Sequence, residues 1–215
     1  MTDELIIKLA IDEIENRTLG VTEQFLEIHQ LVYTDNKPSI ARVDTERDDE
    51  AIVYFKVEGE KFFLVVYFDI KPTISLRSVN IEAYHSVYFR AFSDTLSLQQ
   101  LSELTKLSST YGRNKGDIRG GNGVWKESTI DFEPNPEADE FEDKLDKLLD
   151  YLEQDEEGVK NLIKNAGGYI QVYSSFHNGN TMIGGHRIKK QQIKRMGRLN
   201  LAIDFDSSAD GNFFN

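Results

Sequence analysis

The stretch Tyr111–Gly123 sets five glycines among the cations Arg113, Lys115 and Arg119, with Trp125 two residues beyond. Glycine leaves backbone N–H groups accessible, and such groups beside guanidinium and ammonium charges form a nest that suits an oxyanion. The stretch lacks the Gly-x-x-x-x-Gly-Lys-Ser/Thr spacing of a phosphate loop, and no helix start follows to add its dipole. The competing reading is an exposed connection with Trp125 in the core.

A second chemical signal is charge. Residues 133–157 hold twelve acids against Lys144 and Lys147, a net −10, whereas residues 158–203 hold eight bases and no acid. Phe141, Leu145, Leu148, Leu149 and Leu152 fall at helical spacing. The same helix therefore shows Asp139, Glu140, Glu142, Asp143, Asp146, Asp150 and Glu153 on its polar surface. That surface can steer a basic partner, with Phe141 or Tyr151 as an anchor at its edge. It can equally be neutralised from within by the basic helix expected over about Arg187–Leu199.

Other titratable side chains form no motif. His29, His85, His177 and His186 show no i, i+4 spacing, so isolated surface or packed histidines are expected, with a pair made by the fold as the alternative. Asp204 and Asp206 share a strand face and, with Asp131 or Glu133, suit a hard cation, although alternating carboxylates on a polar strand face need none. Ser108, Ser109, Ser174 and Ser175 lie in no Gly-x-Ser-x-Gly elbow. Zero cysteines exclude disulfides, thiolate metal sites and cysteine nucleophiles. No catalytic residue, metal or cofactor is expected.

The elements that position these groups follow from hydrophobic period. Helices are predicted over Asp3–Asn16 and Thr22–Val32, the second with Thr22 as N-cap. An antiparallel meander follows: Ala51–Val57, a hairpin at Glu58–Lys61, the apolar strand Phe62–Phe68, and Ile74–Ala83. Beyond Tyr84 come strand Val87–Phe92, a Ser97-capped helix with Leu98, Leu101, Leu104 and Leu107, the glycine loop, and an extended run to Phe132. The acidic helix comes next, then a short helix closed by Gly167-Gly168 and a strand bearing Ile170, Val172 and Phe176. The basic helix leads into a last strand with Leu201, Ile203 and Phe205. The fold class is α+β: helices on a mixed, largely antiparallel sheet, an N-terminal β-meander followed by a βαβ-α-βαβ region. The expected division is 1–84, 85–206 and a loose tail 207–215.

Residues 87–206 resemble the bacterial family known as domain of unknown function 4279. The likeness rests on Leu98-x-x-Leu101-x-x-Leu104, Lys115-Gly116-Asp117, Gly123-Val124-Trp125, the leucine-rich acidic helix and Arg198-Leu199-Asn200-Leu201-Ala202-Ile203-Asp204-Phe205-Asp206. It implies a compact α+β domain without an assigned catalytic site, similar in kind to the small acidic immunity partners of bacterial toxins. The chain has 215 residues and a formal charge of −12, which disfavours nucleic acid and anionic membrane as partners. Its longest apolar run, Phe62–Phe68, is far short of the roughly 20 residues that span a bilayer. Met1-Thr2-Asp3-Glu4 lacks the positive charge of a secretory signal. The sequence thus predicts a cytoplasmic, non-enzymatic binding protein, an immunity-type inhibitor that meets a basic partner such as a cognate toxin. The alternative is a regulatory domain that holds a small anionic ligand on Arg113, Lys115, Arg119 and Trp125; an uncharacterised enzyme ranks third.

Overall fold

The structure is a computed structural model and describes residues 3–121, 123–179 and 185–214. Residue 122 of the glycine loop, residues 180–184 between His177 and His186, and the last tail residue lie outside the described residues. The chain forms two units. Of the described residues, the first comprises 3–84, 174–179 and 207–214, and the second comprises 85–121, 123–173 and 185–206. Among the described residues no helix is long and apolar enough to cross a membrane.

In the first unit, α1 (Asp3–Asn16) buries Ile6, Ala10 and Ile14 at four-residue intervals. Glu13, also buried, does not face solvent but reaches the start of α2 (Gly20–Ile28). Its carboxylate accepts the Leu19 N–H at 3.1 Å, the Thr22 hydroxyl at 2.6 Å and the Thr18 hydroxyl. Thr22 is thus inside the helix rather than its N-cap: its N–H bonds the Leu19 carbonyl and its hydroxyl is turned to Glu13. The helix stops at Ile28, short of Val32, where His29 turns extended. A small hairpin follows, β1 (Tyr33–Thr34) and β2 (Lys37–Pro38), with Asp35 and Asn36 at positive φ as a type I′ turn requires. The main sheet runs β3 (Ile40–Asp44), β4 (Glu50–Lys56), β5 (Phe63–Asp69) and β6 (Ser75–Glu82), antiparallel throughout. β4 and β5 are central and buried at both parities, as the run of apolar residues in β5 demands.

The second unit is built on the sheet order β13-β12-β7-β11-β8. In chain order its elements begin with β7 (Tyr84–Ser93), α3 (Leu98–Ser102), β8 (Tyr111–Arg113), β9 (Ile118–Arg119), β10 (Gly123–Val124) and β11 (Ser128–Phe132). They continue with α4 (Phe141–Leu152), a 3-10 turn at Glu153–Asp155, α5 (Glu156–Asn165), β12 (Gly167–His177), α6 (Lys190–Leu199) and β13 (Ala202–Asp210). β11 pairs antiparallel with β7 and β8. Gln171 of β12 bonds Asp206 of β13 and Ser175 bonds Asp210, so partner numbers rise together and these two strands run the same way, joined by α6. Val87, Phe89 and Ala91 of β7, Ile130 and Phe132 of β11, and Ile170 and Val172 of β12 pack with leucines of α3, α4, α5 and α6 in one core. Period two then sends Tyr88, Arg90, Thr129, Asp131, Tyr169 and Gln171 to the opposite face.

Four local expectations change. The Ser97 capping box with Gln100 forms, but α3 ends at Ser102, since Asp155 takes the Lys106 N–H at 2.6 Å and the Thr105 hydroxyl at 2.8 Å and so draws the chain out of the helix. Gly167 and Gly168 open β12 instead of closing α5; a Cβ at either would run into the Phe92 or Phe89 ring. The glycine stretch is no plain connection, for β8 joins the main sheet and β9 pairs with β10. Ser207–Asp210 continue β13 rather than a loose tail.

Replacing Glu13 with Ala leaves the amide and hydroxyl donors at the start of α2 without their acceptor, and the buried donors give an expected loss of about 1–3 kcal/mol in unfolding free energy. Urea denaturation checks this; a change below about 0.5 kcal/mol, the range of ordinary surface substitutions, would show that the cap is not structural.

Candidate functional site

The acidic helix faces the basic one. Arg195 of α6 reaches Asp146 at 3.4 Å, Asp150 at 2.5 Å and Glu153 at 2.7 Å, while Arg198 reaches Glu153 at 2.6 Å and Glu156 at 3.1 Å. Lys189 lies 3.6 Å from Asp146. The hydrogen bond from Arg195, more than its charge, holds the Glu153 carboxyl below its ordinary range. Asp139 is buried and bonds Asn135 at 2.6 Å and Lys147 at 3.0 Å. Glu142 accepts the Arg187 N–H at 3.2 Å; Glu140 is the N-cap of α4, and Asp143 lies in its first turn. Phe141 is buried in the core and not at an edge, because its position continues the leucine stripe. The Tyr151 hydroxyl donates to the Ser108 carbonyl at 2.6 Å.

The glycine stretch builds a different environment. Gly116, at φ +90°, donates its N–H to the Trp125 carbonyl at 2.8 Å, and the Trp125 N–H returns to the Asp117 carbonyl at 2.9 Å. This fold-back lays the half-buried Trp125 ring 3.6 Å from the guanidinium carbon of Arg113 and 4.8 Å from that of Arg119. Two cations thus stack on one indole. Lys115 is held by its ammonium on the Asp94 carbonyl at 2.8 Å. Arg113 and Thr129 are direct partners in the β8–β11 ladder. There the Arg113 Nε–H and the Thr129 hydroxyl are both buried without a hydrogen-bond partner, the latter on a residue only 1% exposed. Arg90 shows the contrast: on the same sheet face it grips Asp131 through two bonds of 2.8 and 2.6 Å, and those bonds raise its pKa.

One cavity borders the stack at Trp125, and a second shares two lining residues with the first. The first, of about 550 Å³, is lined by Asp94, Lys115, Gly116, Val124, Trp125, Lys126 and Glu127. The other, of about 360 Å³, shares Asp94 and Glu127 and adds Phe92, Lys164 and Gly167. Both are of the size that takes small ligands. Thr129, Asp94 and Lys164 were not singled out by sequence; for Thr129 the alternation with Ile130 and Phe132 was the available signal.

The histidines do not stand alone. His29 meets His177 in the first unit, with Nε2 atoms 2.9 Å apart, and in the second unit the His85 and His186 rings lie 5.5 Å apart against Phe141. Burial first, then the neighbouring His186, pushes His85 down to about 3. Asp131 is bound by Arg90 and Glu133 by the Ser86 hydroxyl, and Asp206 lies 3.3 Å from Gln171; among the described residues these carboxylates form no group placed to hold a metal ion.

A family model described as "Domain of unknown function (DUF4279)" matches residues 82–210. The chain belongs to the DUF4279 family. No curated protein and no solved structure matches it. The DUF4279 region contains the Arg113–Trp125–Arg119 stack, both cavities and the α4–α6 pair; residues 3–81 precede it.

Replacing Arg195 with Ala removes the centre of the interhelical network. The expected loss is about 1–2 kcal/mol, reduced from the value of fully buried charged bonds because the partners are partly exposed. Since the Glu153 pKa is lowered in the folded state, this contribution is present above its ordinary value of 4.5 and disappears as pH falls through the folded value. Thermal unfolding of both proteins at neutral pH and in acid checks it; equal midpoints at neutral pH would contradict it.

Proposed function

We propose that this chain is a non-enzymatic, cytoplasmic binding protein whose second unit holds a small anionic molecule at Arg113, Arg119 and Lys115, beside Trp125. One observation carries the reading: Arg113, whose guanidinium stacks on Trp125 together with that of Arg119, has a buried Nε–H without a partner, and the hydroxyl of Thr129, opposite it in the ladder, is buried and unpartnered as well. A buried polar group without a partner costs about 1–3 kcal/mol, and an oxyanion is the acceptor that such donors lack. The adjoining cavity gives the rest of the ligand a place, with Lys126 on its wall. The non-enzymatic reading is supported by how the titratable groups are used. Asp131 is committed to Arg90, and the histidines are packed against aromatic rings.

A second reading, an immunity-type inhibitor that meets a basic toxin through the acidic surface, is favoured by Asp150 and Glu157, whose side chains are 69% and 86% exposed. α6 takes up much of the remaining acid, so the anion site ranks first.

Trp125 is the one tryptophan of the chain, so its fluorescence reports on this site alone. Titration with inorganic phosphate, pyrophosphate and citrate should give a saturable emission change that is lost in Arg113→Ala and Arg119→Ala while circular dichroism is unchanged. Silence of Trp125 at millimolar anion would overturn the reading. A basic protein whose association slows with salt and with Asp150→Lys would then move the assignment to the acidic surface.

A further inference from the structure

We propose that His29 and His177 form an acid-released latch that holds the segment 207–214 in the first unit. His29 is the C-cap of α2 and His177 the last residue of β12, 148 positions apart, yet their Nε2 atoms lie 2.9 Å from each other. Phe25 stacks on His29 at 4.9 Å, Phe62 meets both rings edge-on, and Phe214 lies 5.2 Å from His177. The segment's own backbone completes the cluster: the Asn212 N–H points at His29 Nε2 at 3.3 Å, and the Asn212 amide donates to the Ile28 carbonyl at 2.8 Å. Gly211, at φ +92°, allows this approach, since a Cβ there would collide with Phe62.

Hydrogen-bond donors fix the protonation state. The Gly179 N–H points at His177 Nδ1 at 3.1 Å, so that nitrogen carries a lone pair and the proton sits on Nε2. His177 Nε2–H then donates to His29 Nε2, which also faces the Asn212 N–H as an acceptor. Both rings are therefore neutral, and a further proton on either one lands against an existing N–H donor. The same tautomer argues against a metal ion between the rings, because His177 Nε2 has no lone pair to offer. The cluster is closed to water: His29 is 6% and His177 3% exposed.

Burial lowers both imidazoles from 6.5, and His29 beside it helps to bring His177 down to about 4, while the Asn212 backbone offsets part of the shift at each ring. Opening that exposes the two rings returns them toward their ordinary pKa. The latch is thus at full strength above about 6.5 and weakens as pH falls toward about 4. Of the charged groups on the packed elements, Glu23 and Glu27 of α2 line a cavity with Phe214, and Glu60 and Lys61 before β5 act on Asp210 at the end of β13. Asp210 is held below the ordinary carboxylate range by the Ser175 and Ser208 hydroxyls, so it stays charged while the histidines titrate. Glu60 is raised by burial and by Asp210, so Glu60→Gln serves as a control.

Hydrogen exchange of the full chain, corrected for the intrinsic effect of pH, reads the latch through the amides of 207–214. From about pH 7.5 to about pH 5 their opening equilibrium should rise, by up to about 30-fold through His177 alone. The dependence should persist in Glu60→Gln and flatten in His29→Gln/His177→Gln. Should the double variant not fold, proton NMR of the native chain must show two histidines titrating in step with the loss of protection. Protection of 207–214 that is indifferent to pH would overturn the latch. So would a stoichiometric gain in protection on adding zinc, which would make the pair a metal site.

Discussion

In the second unit, the alternation of side chains along β7, β11 and β12 governs where everything else can go. Val87, Phe89, Ile130, Phe132, Ile170 and Val172 point to one face and are buried with leucines of the helices. Burial of large apolar side chains, at about 1.5–3 kcal/mol each, fixes this register, because a slip of one residue would turn the whole set outward. Tyr88, Arg90, Thr129 and Asp131 have no choice but the other face. Arg113 reaches Thr129 only because β8 pairs with β11 in the same register.

Charge is arranged within that frame in two contrasting ways. On the helical side, Arg195 and Arg198 meet Asp146, Asp150, Glu153 and Glu156, so a block that reads as strongly acidic is partly balanced by its neighbour. Each exposed pair contributes little, about 0–1 kcal/mol, and together they offset part of the acidic charge. At the sheet edge, Arg113 and Arg119 stack on Trp125, and a buried donor and hydroxyl are left unmatched. The unmatched pair outweighs any single surface ion pair, which is why the functional reading rests there.

Much of the fold was legible from local pattern. The bounds of α1 follow from its apolar spacing, and α4 from its leucine stripe. The sequence misplaced elements where a distant side chain intervenes: Glu13 moves the start of α2, and Asp155 cuts α3 short. The glycine stretch was recognised with its Arg, Lys and Trp residues, yet its fold-back depends on Gly116 and Trp125 exchanging backbone bonds, which spacing does not encode. The histidine pairs were illegible for the same reason, since partners such as His29 and His177 meet only through the completed fold.

The central claim, that an anion completes the bonding of Arg113, is tested most directly by nitrogen-resolved proton NMR of the arginine Nε–H groups during titration with inorganic phosphate. Arg90 and Arg195 are internal references, because their Nε–H groups already bond Asp131 and Glu153, each at 2.8 Å. The account predicts that the Arg113 Nε–H signal moves downfield and saturates while those two stay fixed. An Arg113 signal that does not move, or three signals drifting together with ionic strength, would contradict it.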